Sequence, residues 1–238
     1  NKKLEMLAGV DGIDGIGIGF PGPAASGAKL RKMLDRHGLK WALSDADIYT
    51  EARFKNGSLS NPDPKIRVAA MDRIKEAIDG SVEGGAGSMN LWLGHDGFEY
   101  TFQGHYADAW NWILEGLAGI AAYNTSTMPI CVEPKCKEPR AHMYMANAGK
   151  ALWALEKINK PNLGLTLDFG HSLAALEQPA EIAVLAMREN RLKQIHLNDN
   201  YRDWDHDLYP AAVNVWELVE FFYWVRKLGY RGWFSLDI

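Results

Sequence analysis

The run Met128-Pro129-Ile130-Cys131-Val132-Glu133-Pro134-Lys135-Cys136-Lys137-Glu138-Pro139-Arg140 decides the fold. Its apolar approach, residues 128–132, reads as a short buried strand that runs into a carboxylate. Glu133 and Lys135 are two residues apart, and side chains at i and i+2 of an extended segment point the same way. The two charges therefore share one face at a strand's C-terminal end. Alone, such a pair is an ordinary strand-end ion pair. Three other strand ends change its meaning. Leu165-Thr166-Leu167-Asp168-Phe169-Gly170-His171 delivers Asp168 and His171. Gln194-Ile195-His196-Leu197-Asn198-Asp199 delivers His196 and Asn198, and Phe234-Ser235-Leu236-Asp237-Ile238 delivers Asp237. Carboxylates and imidazoles meeting at the C-terminal mouth of a parallel barrel have the chemistry of a divalent-metal site.

Outward from this centre, strand and helix patterns alternate along the whole chain. Strands are expected at 15–20, 39–43, 89–93, 128–133, 163–167, 192–197 and 233–236. Helices are expected at 28–37, from 63–64 onward past 78, and at 105–123, 143–158, 179–189 and 212–228. The first of these stops at Gly38, a C-cap signal, and the second opens on Asp63-Pro64. In that second helix Val68, Met71, Ile74, Ala77 and Ile78 mark the apolar face, and Gly80, Gly84, Gly85 and Gly87 loosen its end. Such βα alternation implies a parallel sheet. A (β/α)8 barrel has eight of each element in ~250 residues. The pattern therefore implies one α/β barrel domain over 1–238, with a first strand and helix and a closing helix outside this sequence. An open doubly wound sheet would instead concentrate its site at one switch point, whereas here every strand end in the second half carries a polar group.

Composition narrows the function. The chain has 238 residues, 47% hydrophobic and 24% charged, which suits one globular domain. The formal net charge of -4, without a Lys/Arg block, argues against nucleic acid and anionic membranes as partners. No apolar run is long enough to span a bilayer, and residues 1–6 lack a signal peptide's apolar region. Cys131 and Cys136 match no zinc ribbon, so a reduced, cytoplasmic protein is expected. Nine Trp and nine Tyr suggest an aromatic pocket or an interface, and hence a homo-oligomer.

In order along the chain, several motifs resemble the xylose isomerase-like barrels. These are Phe54-Lys55-Asn56-Gly57 before Ser60-Asn61, Leu91-Trp92 with Gly94, Glu133-Pro134-Lys135 before Lys137-Glu138-Pro139-Arg140, Gly170-His171, and Asp205-His206-Asp207-Leu208. The resemblance covers roughly residues 15–237. It implies a TIM barrel aldose–ketose isomerase with two divalent cations, Mn2+ first, with Co2+, Mg2+ or Zn2+ as alternatives. By position, Glu133, Asp168, His196 and Asp237 would hold one cation. His171, Asp205 and Asp207, with Asp168 bridging, would hold the other. Lys135 would steady the carbonyl end of an open-chain sugar, with His171, Asp205 and Asp207 beside it in the chemistry. Trp92 would wall the pocket, with Tyr49, His95 and Asn198 as further substrate contacts and His105 another pocket candidate. The family's members also imply a tetramer.

Two departures stand out. Asp168 and His196 give a ligand set closer to that of L-rhamnose isomerase. The stretch matching the ring-opening His of xylose isomerases reads Gly19-Phe20-Pro21-Gly22. Together they point to a rare or deoxy sugar. The rivals are a ketose 3-epimerase on the same barrel, with one metal and a carboxylate acid/base pair, a metal-dependent phosphodiesterase of the endonuclease type, and a sugar-binding barrel without turnover. Asp205, Asp207 and Lys135 argue against the first, and the acidic net charge against the second. Asp199 is expected to be solvated or ion-paired.

Overall fold

The β-rich apolar runs and the helical repeats between them fold as alternating layers in the computed structural model, which describes residues 2–22 and 26–238. The strands are β1 (Gly15–Gly19), β2 (Lys40–Asp45), β3 (Ser88–Trp92), β4 (Gly97–Phe98), β5 (Ile130–Glu133), β6 (His142–Met143), β7 (Leu163–Asp168), β8 (Leu192–Leu197) and β9 (Phe234–Leu236). Seven of them form one sheet in the order β1-β2-β3-β5-β7-β8-β9, with every neighbour parallel. The order runs in chain sequence without a reversal. A doubly wound sheet must reverse at its switch point, so that alternative is excluded and the barrel expectation holds. The sheet curls until β1 and β9 line one cavity, though the two strands do not pair. Trp233 packs beside Gly15 and Gly87 at the seam. The small antiparallel ribbon of β4 and β6 stands above the β3 and β5 ends.

Local chemistry explains the helices that carry the wall. Helix Pro64–Gly84 starts where expected: Asp63 caps it by accepting from the Lys65 N–H, and Pro64 supplies a preset φ. Its buried stripe is Ala70, Ile74, Ala77, Ile78, Ser81 and Gly84. Val68 falls about 200° out of phase with Ala70 and is exposed, contrary to the apolar face expected from periodicity. Gly80 and Gly84 do not loosen the helix either. They lie inside it, where a Cβ would collide with the Phe20 ring at the first and the Trp41 ring at the second. Gly85 ends the helix at φ 72°, the left-handed turn that glycine adopts freely.

Three boundaries differ from those expected in ways that matter to the site. Strand β2 continues past Leu43 to Asp45, because Ser44 is buried against helix Pro64–Gly84, its hydroxyl accepting from Ser81 at 2.6 Å. The segment at 143–158 begins with β6 and becomes helix only at Ala148–Ile158, capped by Asn147. After β7 comes a short helix, Phe169–Ala174, absent from the expected elements, with Asp168 accepting from the His171 N–H as its cap. A helix at Lys2–Ala8, too short to stand out by periodicity, precedes β1.

Candidate metal centre

The C-terminal ends of β5, β7, β8 and β9 bring Glu133, Asp168, His196 and Asp237 together. One ligand atom from each lies within 4.8 Å of all the others. His196 Nδ1 sits at the middle, 3.1 Å from Glu133 Oε1, 3.2 Å from Asp237 Oδ2 and 3.8 Å from Asp168 Oδ2. Glu133, Asp168 and His196 are buried, while the Asp237 side chain remains half exposed. Atoms that each lie ~2.0–2.4 Å from one cation are at most ~4–5 Å apart, so this spread fits a single ion. Three carboxylates and one imidazole are a hard donor set, suited to Mn2+, Mg2+, Co2+ or Zn2+.

The buried ligands are oriented by amides. Asn90, on β3, donates from Nδ2 to Glu133 Oε2 at 2.6 Å and accepts the Thr166 hydroxyl at 2.7 Å. Asn198 donates to Asp168 Oδ2 at 3.0 Å and accepts the Gly170 N–H at 2.8 Å. Asn198, expected to contact substrate, is fully buried and outside the cavity lining, with its side chain bonded to Asp168 and Gly170. A Cβ on Gly170 would collide with the Asn198 oxygen, so this contact needs glycine. Asn90 carries no flag in sequence beyond its place one strand over from Glu133.

Beside the four-residue group, His171, Asp205 and Lys135 form a second cluster. His171 Nδ1 lies 3.4 Å from Glu133 Oε1, and its Nε2 lies 3.0 Å from Asp205 Oδ2. The Lys135 Nζ is 2.7 Å from the same Asp205 oxygen and 5.3 Å from the centre of the Trp92 ring. Tyr49 meets Trp92 edge-on at 4.7 Å, so the two expected aromatics do form one wall. Asp207 shares the cavity lining but is exposed on the rim. Among the described residues one group, not two, meets the ligand spacing, and neither Asp205 nor Asp207 belongs to it. His95 lies outside the cavity lining, and His105 caps helix Tyr106–Tyr123 from the surface.

The charges act strongly on one another. Burial raises the Glu133 carboxyl, but His196 and His171 outweigh it and hold it near 2. Asp168 goes the other way, to about 7, because burial and Glu133 beside it disfavour a second anion. Burial also opposes protonation of His171, yet Asp168, Asp205 and Glu133 raise it to about 9. His196 is likewise raised well above its usual value, against burial, by Glu133 and Asp237. Asp205 is held well below the usual range, against burial, by His171 and Lys135. Burial and Asp205 raise Asp207 to about 6.

A proton on His171 or His196 thus occupies the place a cation's charge would take. Metal uptake must displace it, so affinity rises with pH while pH stays below about 9. For each proton displaced the gain is about tenfold per pH unit. Calorimetric titration of Mn2+ at pH 6, 7 and 8, in buffers of different ionisation enthalpy, should show proton release. A pH-independent affinity would contradict this charge balance.

The cavity above these groups has a volume of about 940 Å3. Its lining includes Gly17 and Gly19 of β1, Asp45 of β2, Asn90, Trp92, Lys135 and Asp205. Asp45 escapes a reading of the sequence because the apolar run of β2 ends two residues earlier.

Comparison with known proteins agrees with this architecture. The chain is 29% identical over 209 residues to xylose isomerase of Thermus thermophilus, covering 86% of this chain and 54% of that protein. It is 28% identical over 190 residues to xylose isomerase of Ruegeria pomeroyi, covering 77% of this chain and 43% of that one. The chain therefore spans about half the length of these curated relatives. The fold is also that of a D-allulose 3-epimerase from Methylomonas sp., with a TM-score of 0.77 at 19% identity, 98% of this chain and 75% of that one. It is shared equally with an AP endonuclease, family 2, from Brucella melitensis, TM-score 0.75 at 16% identity, 99% of this chain and 86% of that one. Likenesses this remote establish the fold alone. The family model is a different matter, since it matches residues 7–238: this chain belongs to the xylose isomerase-like TIM barrels.

Proposed function

We propose that the protein is a divalent-metal-dependent aldose–ketose isomerase acting on a rare or deoxy aldose. The observation that carries this reading is the Lys135–Asp205–His171 cluster, set against the four-ligand group at the mouth of the barrel. Isomerisation moves a hydrogen from C2 to C1 and a hydroxyl proton from O2 to O1, and negative charge builds on both oxygens. A cation held by Glu133, Asp168, His196 and Asp237 would supply Lewis-acid stabilisation of that charge. Lys135 Nζ, half-buried and kept cationic by Asp205, donates to a carbonyl or alkoxide oxygen. Asp205 stays ionised and has one oxygen, Oδ1, without a partner, so it can accept a hydrogen bond from a substrate hydroxyl. Trp92 and Tyr49 shield one side of the sugar from water. A homo-oligomer, expected from the aromatic content, would bury the exposed Trp216 and Phe102 rings.

A second reading has one specific observation in its favour. A ketose 3-epimerase uses one cation, and one ligand group is what the described residues form. Product analysis separates the two readings. Aldoses and ketoses, including L-rhamnose, D-xylose and rare hexoses, are incubated with Mn2+ or Co2+ and the products resolved by position. The expected result is aldose–ketose interconversion, with kcat/KM for L-rhamnose or a rare hexose above that for D-xylose. A tenfold preference for D-xylose would overturn the substrate assignment. Formation of 3-epimers alone would replace isomerase by epimerase.

A further inference from the structure

Five buried side-chain polar atoms among the described residues lack a hydrogen-bond partner: Asp45 Oδ1, Trp92 Nε1, His171 Nδ1, His196 Nε2 and Asp205 Oδ1. All five residues line the cavity at the mouth of the barrel. A fold pairs its buried polar groups unless something else will, so this coincidence marks where a polar ligand is received. Four of the five already have a place in the site. Asp45 has none, and it is not a member of the four-ligand group.

Its position is set by the sheet. Ser44 faces the helix layer and bonds Ser81, so alternation along β2 turns Asp45 into the barrel. Its register partner on β1 is Gly19, and its partner on β3 is Asn90. Neither supplies a donor. Gly19 has no side chain, and a Cβ there would meet the Asp45 Cβ at 3.7 Å, so the glycine keeps open the space beside the carboxylate. Asn90 gives one amide hydrogen to Glu133, its oxygen accepts from Thr166, and no bond from it reaches Asp45 Oδ1. A sealed carboxylate oxygen without a donor is costly to keep.

We propose that Asp45 is a substrate-binding residue, whose carboxylate accepts a hydrogen bond from a hydroxyl of a neutral polyhydroxylated substrate. The proposal rests on the sugar reading above and deepens it. A hydroxyl is the donor that fits, because the register neighbours of Asp45 are a glycine and an amide already paired elsewhere, and its Oδ1 has no hydrogen-bond partner. With Glu133, Asp205 and Asp237 on the same cavity, a further anion on the substrate at this end would be repelled. Asp45 therefore selects unphosphorylated sugars that are not sugar acids.

The test uses the Mn2+-loaded protein and sugar alcohols, which carry the hydroxyls but no carbonyl to react. Xylitol and L-rhamnitol affinities are measured by calorimetry for the wild type, Asp45→Asn and Asp45→Ala, with Mn2+ affinity measured separately. Both variants should weaken at least one alcohol by tenfold or more, the loss expected for a hydrogen bond to a charged group. Mn2+ affinity should stay within threefold, which also reports that each variant is folded. D-Xylonate should bind the wild type more weakly than xylitol and gain relative to it in Asp45→Asn. Unchanged alcohol affinity in both variants overturns the assignment of Asp45. So does a tenfold loss of Mn2+, which would make Asp45 part of the metal site. A wild type that binds Mn2+ and neither alcohol overturns the sugar reading itself, and Asp45's role with it.

Discussion

Replacing Glu133 by Gln should strip the protein of its metal and of any turnover that depends on it. Glu133 Oε1 is the oxygen that both imidazoles share, at 3.1 Å from His196 and 3.4 Å from His171. Its Oε2 already accepts from Asn90. Gln keeps the volume but loses the charge, and one end of its amide becomes a donor. Whichever way the amide turns, that donor faces either the Asn90 amide or the position of the cation. Breaking one partner out of a buried charge cluster costs about 3–5 kcal/mol, roughly two to nearly four orders of magnitude in metal affinity. Equilibrium dialysis with Mn2+, alongside circular dichroism to confirm the fold, measures it directly. Full metal occupancy with undiminished turnover would remove Glu133 from the centre of the site.

What the sequence makes legible follows from which signals are local. A strand end with a charged residue after an apolar run announces itself, and this is why Glu133, Asp168, His196 and Asp237 all stand out from the residue order alone. Their convergence needs only the barrel rule that catalytic groups sit at the C-terminal ends of strands. Asp45 obeys the same rule and yet does not stand out. The apolar run of β2 stops at Leu43, and the two polar residues that complete the strand look like the start of a loop. The Ser44–Ser81 hydrogen bond, made between segments 37 residues apart, and the pairing of Asp45 with Gly19 and Asn90 show that the strand goes on. For Asn198 the sequence points to the right neighbourhood without showing its partners, for a related reason. The i, i+2 pattern puts it beside His196, but its bonds to Asp168 and Gly170 depend on how β7 and β8 pair. Val68 shows the limit of periodicity: five apolar positions suggest one face, and the phase of the true stripe is set by the glycines that pack on Phe20 and Trp41.

Asp199→Ala should uncouple the second cluster from the first. Sequence chemistry suggests a solvated acid here, yet Asp199 is fully buried. Its Oδ2 accepts the backbone N–H groups of Val213 and Asn214 at 2.7 and 2.9 Å. Its Oδ1 accepts from the Asn214 side chain at 2.6 Å and from the Asn200 N–H at 2.9 Å. One carboxylate therefore ties together both ends of the loop between β8 and helix Val215–Lys227, and that loop carries Asp205 and Asp207. Alanine leaves several donors unpaired, at about 1–3 kcal/mol for each that water cannot reach. For a chain of this size that is a fall in melting temperature of roughly 10 °C. The four-residue group draws its ligands from β5, β7, β8 and the segment after β9, so Mn2+ affinity should remain within threefold of the wild type. Turnover should fall by about a hundredfold or more, because an Asp205 displaced by even an ångström no longer meets Lys135 and His171. Calorimetry, metal titration and initial rates on the same preparation give the three numbers. If Mn2+ affinity collapses together with the rate, the loop carboxylates themselves hold the cation, and the division into one metal group and one Lys–Asp–His cluster fails. If neither melting temperature nor rate changes, the loop is held by its other bonds, Arg202 to Asn214 and Glu217 foremost, and Asp199 is dispensable.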